Sequence, residues 1–141
     1  MSEDSGRRDA ALQRGLAGAL VRARRQWRVL AWLAVAGVAG LSLMPIDVPV
    51  APELLDVDKL VHVGMYASLM LCFSYGYPRR HWAACASGLT CYGVLLEFLQ
   101  GQTGYRTPSA MDALANLTGV SIMLWLRVRR DNQLRRGARL P

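Results

Sequence analysis

The chain has 141 residues, which by the usual length relation is one domain. Hydrophobic residues make up 52% of it and the mean hydropathy is +0.17, yet the formal net charge is +7 and the isoelectric point about 10.0. That pairing argues against an ordinary soluble globular protein, and because the basic residues flank apolar spans it also argues against a nucleic-acid partner.

Residues 1–26 are polar and rich in arginine. A helix from Asp9 would set Leu12, Leu16, Leu20 and Trp27 on one side with Arg14, Arg22, Arg24, Arg25 and Arg28 around it, a basic amphipathic stretch suited to an anionic membrane surface. Gly6, Gly15 and Gly18 equally fit a disordered basic tail, and both readings stand. The first apolar span runs from about residue 27 to 44 and stops at Pro45. The long polar stretch before it and the lack of an Ala-x-Ala site before Pro45 read as a retained helix rather than a signal peptide.

Three further apolar spans follow, at about 60–77, 82–99 and 110–126, and a basic tail covers 127–141. The expected fold is all-α: residues 27–126 form a bundle of four transmembrane helices, each near the short end of what crosses a hydrocarbon core of about 30 Å. Four spans create five flanks, and all but two of the 17 Lys and Arg residues fall on one side of the resulting topology. The other side keeps Lys59 and Arg106, beside Asp47, Glu53, Asp56 and Asp58. The positive-inside rule makes the basic side cytoplasmic, so both termini are expected there, in the cytoplasmic membrane of a bacterium. Trp27, Trp82 and Trp125 sit at span edges, where indoles anchor at the interface. Cys72, Cys85 and Cys91 lie in apolar stretches without a CxxC pair and read as buried free thiols.

The outer ends of the spans carry the chemistry. Asp58, His62 and Tyr66 are four apart and share one helix face, with Lys59 three before His62. Glu97 and Gln100 share a face near the end of the third span, Arg106 lies in the loop beyond it, and Asp112 and Asn116 share a face at the start of the fourth. At about 1.5 Å rise per residue, these groups form a shallow layer at the level of lipid phosphates and sugars. Each has a plain structural reading as well. Ser109-x-x-Asp112 matches a capping box, Lys59 suits snorkelling, Tyr66 suits the interface, and His62 and Glu97 could pair with each other or with Lys59 and Arg106 to lock the bundle. Gly119 and the run Ala36, Gly37, Gly40 read as close helix packing. Asp58, His62, Glu97 and Asp112 are all of types that bind divalent cations, but without geometry no metal and no cofactor is expected.

In order, Pro45, Asp58-Lys59-x-x-His62-x-x-x-Tyr66, Glu97-x-x-Gln100 and Arg106-x-x-Ser109-x-x-Asp112-x-x-Ala115-Asn116-x-x-Gly119 resemble the VanZ-like family over about residues 29–126. The chain departs from it at Met123, where many members have a second glycine. The resemblance implies a small four-helix membrane protein of the bacterial envelope, a family associated with low-level resistance to teicoplanin, and it brings no assigned catalytic role. Its motif positions carry over to Asp58, Lys59, His62, Tyr66, Glu97, Gln100, Arg106, Asp112 and Asn116.

Two functions share these groups. In one, a non-enzymatic protein recognises an anionic lipid or lipid-linked glycan at the outer leaflet, Lys59 and Arg106 meeting phosphate while His62, Glu97, Gln100, Asp112 and Asn116 orient those cations and meet hydroxyls. In the other, an enzyme acts on a lipid-linked phosphate such as a polyprenyl phosphate, with His62 as base or nucleophile and Arg106 stabilising charge. Proton transport through Glu97 and His62 would need polar groups continuing to the cytoplasmic side, and the spans have none.

Overall fold

The computed structural model describes residues 2–45, 54–103 and 109–138. Among them it is all helical, with four helices in chain order: α1 (Ser2–Leu43), α2 (Leu54–Gly76), α3 (Trp82–Gln102) and α4 (Ala110–Gly137). A single 3-10 turn, Arg79–His81, leads into α3. Prolines set two of the stops. Pro45 follows α1, and Pro78, held extended at φ −68° and ψ 153°, separates α2 from the turn.

The helices extend beyond the apolar spans that announce them. Residues 2–26 are helical and continuous with the first span, so the disordered-tail reading fails and no break marks residue 26. At 42 residues, α1 is roughly 60 Å long, about twice a hydrocarbon core. Its N-terminal half stands clear of the bundle, with Leu12, Leu16 and Leu20 exposed. α4 likewise runs through residue 126, because the arginine-rich stretch after it has good helix propensity and Arg135 bonds Asp131 one turn back (2.7 Å).

α2 is the centre of the bundle and packs on all three other helices, most extensively on α4. Contacts at the two ends fix the directions. Arg28 of α1 donates to the Gly76 carbonyl at the end of α2 (2.8 Å), and Gln100 of α3 donates to the Ser42 carbonyl of α1 (2.8 Å). α1 and α3 therefore run one way, and α2 and α4 run the other. Two of the helical segments, Gly6–Leu43 and Arg79–Gln102, are long and apolar enough to cross a membrane. The other two helices, α2 and α4, carry the buried His62, Asp112 and Asn116, which dilute their apolar character.

Two expectations change at the arginine-rich end. Trp82 is buried rather than interfacial: its indole donates to the Tyr77 carbonyl (3.0 Å), and the Arg127 guanidinium lies over it and over Tyr75. Cys91 is exposed, while Cys72 and Cys85 are half-buried, so the thiols are not all interior. The arginines here are structural ties as well as charge. Arg28 sits over the Tyr77 ring, close enough to Gly76 that a Cβ there would meet the Arg28 backbone nitrogen at 3.1 Å. Arg79 reaches Asp131 and Asn132 of α4, joining the turn to the last helix.

Hydrogen bonding from Arg135, with Arg79 assisting, holds the Asp131 carboxyl below its ordinary value of 3.8, against an opposing effect of desolvation. Because the folded-state value is depressed, this stabilisation is present above the unfolded value and disappears as pH falls through the folded one. Melting curves from neutral pH down to about pH 3 are expected to show acid destabilisation that is smaller in Asp131→Asn. That variant should start from a lower neutral-pH melting temperature.

Candidate functional site

At the opposite end of the bundle, polar side chains from three helices meet in the interior. His62, Tyr66, Glu97, Gln100, Asp112 and Asn116 are all buried, and Asp58 and Lys59 are half-buried beside them on α2. Tyr66 is only 1% exposed, so it is an interior group and not the interfacial aromatic its position suggested. Arg106 lies outside the described residues.

The meeting of α2 and α4 is made possible by a glycine. A Cβ on Gly119 would fall 2.2 Å from the Val63 carbonyl oxygen and 3.0 Å from the Ala67 nitrogen, so any side chain there would strike backbone. One turn away, this close approach places the His62 Nδ1 atom 3.0 Å from Asn116 Oδ1. The other ring nitrogen, Nε2, faces Asp58 Oδ1 at 3.9 Å. Ligand atoms of Asp58, His62 and Asp112 all lie within 4.8 Å of one another. Among the described residues the packing expected for Gly37 and Gly40 does not occur, since a Cβ at either would meet no atom within 4 Å, and Ala36 is exposed.

The start of α4 distributes its hydrogen bonds unusually. Ser109 is the N-cap and accepts from the Asp112 amide at 3.2 Å, the forward half of a capping box. The reverse half, from the third residue back to the cap amide, is supplied by another helix: Ser109 N–H donates to Glu97 Oε2 at 3.2 Å. Glu97 of α3 thereby leaves the Asp112 carboxylate to turn towards Asp58 and His62.

Gly93 was not singled out by the sequence. A Cβ there would meet Asn116 Nδ2 and the Tyr66 ring at 3.1 Å each, so its missing side chain makes room for both. Ser42 and Tyr92 also went unnoticed. The Ser42 carbonyl takes the Gln100 amide, and the Tyr92 hydroxyl donates to the Val35 carbonyl (2.6 Å), pinning α3 to α1. Such acceptors are main-chain atoms and leave no trace in residue type. The Tyr66 hydroxyl and Gln100 Oε1 are buried without a hydrogen-bond partner among the described residues, which gives the layer spare polar capacity.

The role of Gly119 is open to a direct check. Gly119→Ala is expected to lose about 1–3 kcal/mol in reversible denaturant unfolding, the range of overpacked sites. Gly37→Ala should be neutral or slightly stabilising, since Ala exceeds Gly by about 1 kcal/mol in a helix.

Set against known protein families, curated proteins and solved structures, the chain gives no match.

Proposed function

We propose that this chain is an integral membrane protein of the VanZ-like type that recognises an anionic lipid or lipid-linked glycan at the outer leaflet, its termini on the cytoplasmic side. Support for the membrane setting comes from an inverted distribution of polarity. Leu30, Leu33 and Leu41 of α1, Val94, Leu95 and Phe98 of α3, and Ile122 and Trp125 of α4 are exposed. Meanwhile His62, Glu97, Gln100, Asp112 and Asn116 are inside. In water that arrangement leaves a wide apolar surface uncovered; in lipid it keeps polar groups away from hydrocarbon. Ser68, Thr90 and Thr118 donate to carbonyls one turn back within their own helices, which satisfies hydroxyls where no water is present.

The single observation that carries the recognition reading is the convergence of those polar groups in one layer, remote from the arginine ties. Lys59 and Arg106 supply charge for a phosphate, and the Tyr66 hydroxyl and Gln100 Oε1, which have no partner among the described residues, suit headgroup or sugar hydroxyls. Altered access of a lipid-seeking glycopeptide to the same surface is a coherent consequence. The close approach of His62 to Asp58 favours a second reading, in which the imidazole acts as base on a lipid-linked phosphate.

Native mass spectrometry of the chain released from membranes should reveal a co-purifying phosphorylated lipid whose occupancy falls at least tenfold in a Lys59→Ala/Arg106→Ala variant. Unchanged occupancy would sink the recognition reading. Turnover of polyprenyl phosphate that disappears in His62→Ala would move the function to the enzyme.

A further inference from the structure

The geometry points to a binding site for a divalent first-row transition-metal ion formed by Asp58, His62 and Asp112, with Asn116 orienting the imidazole. It goes beyond the headgroup reading and stands on geometry of its own. The ligand atoms of the three side chains come from two helices and lie within 4.8 Å of one another, and both His62 and Asp112 are more than nine-tenths buried.

Tautomer chemistry makes the set more than a collection of acids. Asn116 Oδ1 is a carbonyl oxygen and only accepts, so the proton of a neutral His62 sits on Nδ1, 3.0 Å away. That leaves the Nε2 lone pair facing the Asp58 carboxylate at 3.9 Å. A lone pair opposed to a carboxylate is repulsive, and a proton or a metal ion between them relieves it. A histidine whose far N–H is held by a carbonyl oxygen is the usual arrangement around a bound metal. Asp112 supports the same conclusion independently. The residue is only 8% exposed, and its carboxylate takes no hydrogen bond or ion pair among the described residues, although it lies within 4.8 Å of the other two groups.

Distances and donor types narrow the ion. With bonds of about 2.1 Å, two ligands on one metal stand roughly 3.0–3.4 Å apart, so Asp58 and His62 need to draw in by about half an ångström. One imidazole nitrogen and two carboxylates suit Mn²⁺, Fe²⁺ or Zn²⁺ better than the all-oxygen shells of Ca²⁺ and Mg²⁺. Two carboxylates balance the charge of a divalent ion. Three protein ligands leave coordination positions open to water or to a phosphate oxygen. A bound ion would thus add a phosphate-oxygen ligand position to the charge that Lys59 brings to the same layer.

The test uses the purified full chain in lipid nanodiscs, titrated with Mn²⁺ and followed by the electron paramagnetic resonance signal of free Mn²⁺, which avoids competition from the three thiols. Binding of one ion per chain is expected, weakened at least tenfold by Asp58→Asn and by Asp112→Asn. Asn116→Ala should weaken it by about 10–100-fold, as for other residues that orient a ligand. Should either Asp→Asn variant fail to fold, Asp58→His keeps a ligand at a half-exposed position and should retain Co²⁺ with an altered visible spectrum. No stoichiometric Mn²⁺ uptake would overturn the site, as would uptake indifferent to Asp58→Asn, Asp112→Asn and His62→Gln. Either result leaves the lipid measurement free to succeed or fail on its own.

Discussion

The approach of α2 to α4 at Gly119 is the constraint on which the polar layer depends. With the Val63 carbonyl oxygen 2.2 Å from where a Cβ would sit, the two backbones run at a separation no larger residue permits. That separation lets the short side chains of His62 and Asn116 meet at 3.0 Å and brings Asp112 towards Asp58. In the membrane setting proposed above, lipid would offer helices little hydrophobic drive to associate, so close backbone packing and interhelical hydrogen bonds would supply much of the association. The same glycine therefore serves packing and chemistry together. Replacing it would separate the groups before it exposed any of them.

The bundle's two ends are held by different physics. At one end, arginines are spread over aromatic faces and main-chain carbonyls: Arg28 on Tyr77 and Gly76, Arg127 on Tyr75 and Trp82, Arg79 on Asp131. Guanidinium groups suit this role because they stay charged while stacking flat on rings. The other end is rich in acceptors, with Glu97 closing the cap of α4 and Gln100 holding α1 through the Ser42 carbonyl. Neither end could substitute for the other. The first end stacks its cations on rings, whereas the second groups carboxylates and an imidazole beside Lys59.

Much of this was legible in the sequence, and the parts that were not share a cause. Four apolar runs gave four helices, and the starts of α3 and α4 at Trp82 and Ala110 follow directly from where apolar character resumes. The co-facial spacing of Asp58 with His62 and of Asp112 with Asn116 indicated which side chains point the same way. Whether two such faces meet depends on interhelical distance, which Gly119 determines and which no single-helix periodicity encodes. The same limit explains Trp82: an edge position suggested the membrane interface, but Arg127 of α4, together with a hydrogen bond to the Tyr77 carbonyl in the preceding link, drew it inside. Gly37 shows the converse, a small residue that faces no neighbour among the described residues. Helix ends were underestimated because hydropathy marks apolar stretches, while α1 and α4 continue through arginines that propensity supports.

The polar layer turns on the His62–Asn116 hydrogen bond, and nitrogen-15 resonances of the imidazole rings in lipid bilayers test it most directly. The chain has two histidines, so only His81 must be told apart from His62. His62 is expected to carry its proton on Nδ1 at neutral pH, with that preference lost in Asn116→Ala. A His62 ring protonated on Nε2 alone, unchanged by Asn116→Ala, would contradict the geometry from which the polar layer and its metal site are built.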